Sequence, residues 1–174
     1  MTYHSGHPVR LIGGRLALDF LNTADWAADG AVVHEKIERF ADLEVWLSAA
    51  GLPDAAHPRS INQLHRYRRD LRGLFRTGTG LAATGLQAQL RGVTIAGARS
   101  LDDLSRQPVL GLIAISSLSV LSDGRERDRI KTCPGADCGW MFIDETKNRR
   151  RKWCLMETCG NRAKAARHYR RVSG

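Results

Sequence analysis

Cys133-Pro134-Gly135-Ala136-Asp137-Cys138, then fifteen residues, then Cys154-Leu155-Met156-Glu157-Thr158-Cys159 is the stretch on which the reading of this chain turns. These are its only cysteines, and they form two C-x4-C pairs inside 27 consecutive positions. The N-terminal run Met1-Thr2-Tyr3-His4-Ser5-Gly6-His7-Pro8 has neither the basic start nor the apolar stretch of a secretory signal. The chain is therefore expected in the reducing cytoplasm, where clustered cysteines reflect metal binding more often than disulfides.

Zinc takes four tetrahedral ligands, and two close pairs of thiolates brought together by a hairpin supply all of them. A set of Cys133, Cys138, Cys154 and Cys159 leaves no open coordination position, so one structural Zn2+ is expected. Iron–sulfur ligation is the alternative that the x4 spacing leaves open. The segment between the pairs reads as a hairpin: Trp140-Met141-Phe142-Ile143 as one strand, Asp144 to Arg149 as the turn, and Arg151-Lys152-Trp153 as the return. Gly139 permits the tight curl in which amides face sulfur, and Cys159 is expected to open a terminal helix.

The net charge of +9 is unevenly spread. Residues 1–130 hold 16 Lys and Arg against 14 Asp and Glu, or +2, whereas residues 131–174 hold 11 against 4, or +7. Basicity confined to the cysteine segment points to an anionic partner, most often nucleic acid. No stretch is apolar for the roughly 18 residues a membrane span needs, so no membrane partner is expected.

The remainder reads as mainly α, a helix-rich domain over residues 1–124 followed by a small module of knuckle, β-hairpin and α-helix over residues 131–174. Leu16, Leu18 and Phe20 alternate within Leu11–Thr23, which suggests a short strand near residues 15–22. Asp42 is the expected N-cap of a helix over Leu43–Ala50 closed by Gly51. Ser60 and Gln63 fit a capping box ahead of a stripe of Leu64, Tyr67, Leu71, Leu74 and Phe75, with Arg66, Arg69 and Arg76 on the solvated side. Leu81 to Val93 reads as a further helix, and Val109 to Leu121, almost wholly apolar or small, as the most buried one.

No nucleophile–base pair or phosphate-cradling loop occurs in the first 124 residues, and His4, His7, His34, His57, His65 and His168 are scattered. No enzymatic activity is expected.

The stretch Trp153-Cys154-Leu155-Met156-Glu157-Thr158-Cys159-Gly160-Asn161-Arg162-Ala163-Lys164, with the upstream Cys133–Asp144, resembles the CGNR zinc-finger family, whose name is spelled by residues 159–162. Gly13-Gly14-Arg15 to Asn22-Thr23 resembles the start of the ABATE domain that precedes this finger. The resemblance implies a stress-response transcription regulator that binds DNA.

On a helix from Cys159 to Val172, Ala165, Tyr169 and Val172 share the face expected to pack on the hairpin, while Lys164, Arg167, Arg170 and Arg171 gather on the other. Together with Asn161 and Arg162, and with Lys147, Arg149, Arg150, Arg151 and Lys152 of the turn, these are the candidate DNA contacts. Asn161 is equally suited to capping the helix, and Arg162 to bracing a backbone carbonyl. A single small finger seldom suffices, so a homodimer through the N-terminal domain is expected to help.

Two other readings stay open. One is an RNA-binding zinc protein that stacks bases on Trp140, Phe142 or Trp153. The other is an N-terminal domain holding an unidentified small-molecule effector near Arg15, Asp19 and Asn22, with a purely structural zinc module.

Overall fold

A computed structural model describes residues 9–78, 80, 85–94, 100, 103 and 105–172. The architecture is mainly α, as the sequence predicts. Helix α1 spans Leu16–Leu21, α2 Phe40–Ala49, α3 Ile61–Thr77, α4 Leu86–Arg91, α5 Val109–Ser122, α6 Gly124–Arg127 and α7 Asn161–Val172. Strands β1 (Ala24–Trp26) and β2 (Val32–Glu35) form one antiparallel hairpin, and β3 (Ile130–Thr132) and β4 (Met141–Ile143) form another.

The stretch read as a short strand near residues 15–22 is helix α1. Its alternation is uninformative because Ala17, Leu18, Asp19, Phe20 and Leu21 are all buried, and a short apolar run buried on every side carries no usable period. Asp19 fixes the entry, accepting the Gly13 amide at 2.7 Å.

Helix α2 begins three residues before the predicted Leu43. Asp42 is not its N-cap but lies inside the first turn, where its carboxylate accepts the amides of Glu38 and Arg39 at 3.0 and 3.1 Å. Helix α3 starts as predicted, with Ser60 accepting the Gln63 amide at 3.1 Å and the Gln63 side chain accepting that of Arg59 at 2.9 Å. Helix α4 covers the middle of the expected Leu81–Val93 helix, and residues 81–84 lie outside the described residues. Helix α5 buries Val109, Leu110, Ile113, Ala114 and Ser117, as its composition demands.

The finger hairpin differs from expectation. Strand β4 pairs not with Arg151–Trp153 but with β3 upstream, in the register Ile130↔Ile143, Lys131↔Phe142 and Thr132↔Met141. The first cysteine pair is thus the loop of the hairpin, continued by Cys133 N–H donating to Trp140 O at 2.7 Å.

Side chains of β4 point alternately to opposite faces. Met141 and Ile143 join the helical core of Phe20, Trp46, Leu71 and Ile113, whereas Phe142 and the preceding Trp140 join the cysteines. Asn22, 1% exposed, grips the strand through both ends of its amide, donating to Met141 O at 2.9 Å and accepting Met141 N–H at 2.8 Å. The Ile143 amide donates to Gly13 O at 3.0 Å, and Trp26 N–H to Cys138 O at 3.1 Å. Arg15 binds Glu126 through a close ion pair and reaches Glu145 at 3.4 Å. Arg15 and Asn22 therefore have partners more than a hundred residues away that join the start of the helical domain to the later segments, whereas Asp19 is engaged locally by Gly13.

Replacing Asn22 with Ala should leave both polar groups of Met141 buried and unpaired, lowering stability by about 3 kcal/mol in a urea titration of the zinc-loaded chain. Burial raises the Asp19 carboxyl from 3.8 to about 6, against the lowering effect of the Gly13 and Ile12 amides. The folded state then binds the extra proton between these values, so Asp19 stabilises most below about pH 4 and this contribution is lost as pH rises through 6. The stability difference between wild type and Asp19→Asn should change by on the order of 2 kcal/mol between pH 4 and pH 7, in favour of the variant at the higher pH; a flat difference would contradict this.

Candidate metal centre and basic surface

The knuckle that carries Cys133 and Cys138 curls between β3 and β4, with Asp137 and Gly139 in the left-handed region at φ 52° and 55°. Two glycines are required by close approach. A Cβ on Gly135 would lie 2.9 Å from Cys159 Sγ, and one on Gly139 would lie 2.8 Å from Trp26 O. The second pair is shaped differently. Residues Met156–Gly160 form a single π-helical turn, closed by Gly160 N–H donating to Leu155 O at 3.2 Å. The wider π turn suits the x4 spacing, because it brings Cys159 back beside Cys154 and only then lets α7 begin at Asn161.

All four Sγ atoms lie within 4.8 Å of one another, and all four residues are buried. Cys138 and Cys154 approach to 3.5 Å, and Cys154 and Cys159 to 3.6 Å. Thiolates 2.3 Å from a tetrahedral ion stand roughly 3.8 Å apart, so the cluster is the right size for one Zn2+ and too open for disulfides.

The electrostatics agree. Hydrogen bonding from Cys138 and then Cys154, with help from the Cys154 and Gly135 amides, pulls the Cys133 thiol far below its ordinary range against the cost of burial. That thiolate in turn raises Cys138, and raises Cys154 to about 12. A second negative charge beside Cys133 is thus disfavoured at Cys138 and Cys154. Cys133, Cys138, Cys154 and Cys159 would hold zinc as a structural ion, neutralising that repulsion and tying the knuckle to the root of α7.

The basic residues around the cluster separate into two groups. Asp144 organises the loop that follows β4. Its buried carboxylate accepts from Lys131 Nζ at 2.6 Å, Thr146 N–H at 3.0 Å, Thr146 Oγ1 at 2.5 Å and Arg151 N–H at 2.9 Å. Burial raises its carboxyl, but the Lys131 and Thr146 bonds outweigh that and hold it well below the usual carboxylate range. Arg151 turns inward from this loop. Its guanidinium donates to the carbonyls of Ile12, Ile143, Trp153 and Cys154 and stacks 4.1 Å from the Phe142 ring centre. Lys147, Arg149, Arg150 and Lys152 point to solvent.

Helix α7 projects outward, with only Ala163 as much as half-buried. The expected packing of Ala165, Tyr169 and Val172 on the hairpin does not occur, since Tyr169 is 69% and Val172 72% exposed. The reason is that β4 already has both faces occupied. Arg162, Lys164, Arg167, Arg170 and Arg171 are all exposed, and Asn161 donates back to Glu157 O at 3.1 Å. Trp140 is covered, its indole N–H on Asp25 at 2.7 Å, and Phe142 is 0% exposed, so neither is free for base stacking; Trp153 is half-buried beside Lys152.

Sequence reasoning missed the buried arginines Arg68 and Arg72, which sit inside the apolar stripe of α3 at 1% and 4% exposure. Their i, i+4 spacing on the Leu64–Leu71 side was the available signal.

Metal analysis of the purified chain should give one zinc per molecule, and Cys154→Ser should lower that content below half. Chelation should abolish hydrogen-exchange protection from Cys133 onward, because a structural tetrathiolate contributes on the order of 10 kcal/mol. Unchanged protection in chelator would remove the site's role.

No curated protein matches the chain. The CGNR zinc finger model matches residues 129–172, enclosing all four cysteines. The ABATE model, described as "Putative stress-induced transcription regulator", matches residues 14–124, well over half of the chain. The chain therefore belongs to the ABATE family and ends in a CGNR zinc finger.

Proposed function

We propose that this protein is a zinc-dependent, DNA-binding transcription regulator of the stress response, acting in the cytoplasm and without enzymatic activity. Its finger meets DNA, and its N-terminal domain regulates or dimerises. No helix among the described residues is long and apolar enough to cross a membrane.

The observation that carries the reading is a rigidly rooted cationic surface without acidic partners. Among the described residues, Lys147, Arg149, Arg150, Lys152, Arg162, Lys164, Arg167, Arg170 and Arg171 make no ion pair. Loop and helix both spring from segments that the four cysteines hold together. A helix of about 18 Å fits a major groove about 12 Å wide, with Lys164, Arg167, Arg170 and Arg171 along one side. The flanking loop is then available to a phosphate backbone. Contacts of this kind supply affinity, and sequence choice would need Asn161 or a second copy of the chain.

Anisotropy titration of the zinc-loaded full chain with duplex DNA should show binding that chelator abolishes. Six to eight neutralised phosphates give log K a slope of roughly −5 to −7 against log salt. The double variant Arg167→Ala, Arg171→Ala should make that slope shallower by about 2. Absence of binding at low salt, or indifference to chelator, defeats the proposal; preference for structured RNA over duplex moves it to the other nucleic acid.

A further inference from the structure

Helix α3 carries two buried arginines one turn apart, and they are treated differently by their surroundings. Arg68 has a carboxylate partner for both Nη atoms, although its Nε is buried without a hydrogen-bond partner among the described residues. It pairs with both carboxylate oxygens of Glu35 and donates to Thr23 Oγ1 at 2.8 Å and Thr23 O at 3.2 Å. Arg72 has no carboxylate. Its Nη2 donates to Gly139 O at 2.7 Å, while Nε and Nη1 are buried without a hydrogen-bond partner among the described residues. Its guanidinium lies 4.3 Å from the centre of the Trp26 ring, which fixes its plane and satisfies none of those N–H groups.

This guanidinium lines a cleft of about 480 Å³ between α3, the turn after β1 and the cysteine knuckle. Arg76, one turn further along α3, lines the same cleft, and its charge opposes that of Arg72. Among the described residues the rest of the wall includes Trp26, Cys133 and the small or apolar Ala28, Pro134 and Ala136, with Asp137 as the one carboxylate. Buried cations in proteins are paired, so Arg72, without a carboxylate of its own and lining an open cleft beside the exposed Arg76, calls for an anion.

We infer that this cleft binds a small molecule through a phosphate or carboxylate group, held by Arg72 and Arg76, with its uncharged body against Ala28, Pro134 and Ala136. The cleft is larger than an inorganic oxyanion needs, which leaves room for such a body. Because Cys133 and Gly135 form one wall, the ligand would touch the knuckle itself, and occupancy would stiffen the segment that sets the finger. With zinc bound, the four thiolates carry a net double negative charge that also attracts Arg72; no sulfur, however, accepts from Nε or Nη1. The inference stands whether or not the finger binds DNA.

The test titrates the zinc-loaded full chain with inorganic phosphate and pyrophosphate against chloride at constant ionic strength, following the Arg72 side-chain Nε–H and the Trp26 indole by NMR. Saturable shifts at both groups are expected, weakened about tenfold in Arg76→Ala, which alters an exposed side chain, and lost in Arg72→Met with zinc content retained. Unmoved signals overturn the site, and so does equal affinity in Arg76→Ala. Loss of zinc from Arg72→Met, with no phosphate effect in the wild type, makes Arg72 a counter-ion of the metal centre and also overturns it. Shifts driven by duplex DNA but not by either phosphate probe assign the cleft to a nucleic-acid backbone and overturn the small-molecule ligand.

Discussion

Strand β4 is buried on both faces, and the rest of the molecule follows from that. Three residues, Met141, Phe142 and Ile143, divide between a helical core and a cysteine cluster, and a shift of one position would exchange the two sets. Such a strand needs its register fixed from outside. Asn22 does so with two bonds to one residue, Gly13 with another, and β3 with the remaining edge. The metal module is therefore not suspended from the helical domain by a tether. It uses that domain as one of its walls, and an excised finger would expose Met141, Ile143 and Trp140.

The centre and the longer helices α3 and α5 were legible because their signals are local. Spacing and isolation identified Cys133, Cys138, Cys154 and Cys159, and side-chain chemistry identified Ser60 with Gln63 as the start of α3. What the sequence concealed was non-local. Nothing in Arg151-Lys152-Trp153 says that Arg151 will bind the Ile12 carbonyl rather than continue a strand, nor that Ile130–Thr132 will pair in its place. Helix α1 was hidden by its burial, which erased the period that separates helix from strand. The charged positions were the least legible, since Arg68, Arg72 and Arg151 look in sequence like their exposed neighbours Arg66, Arg69 and Arg150.

That sorting of arginines gives the basic segment its character. Inward-facing cations brace carbonyls and an aromatic ring, and outward-facing ones carry the field toward an anionic partner. Lys131 and Asp144 hold the loop that presents the second group, with Lys131 also donating to Arg149 O and Arg151 O at 2.6 and 3.1 Å. The exposed charge is thus displayed from an ordered base, which lowers the entropy lost when a partner is engaged.

The bond from Arg151 to Ile12 joins positions 139 residues apart. Contacts of such long range form late, because the loop they close must be ordered before they contribute. During synthesis Ile12 waits for Arg151, so the helices can assemble before the loop after β4 is tied to the segment ahead of α1.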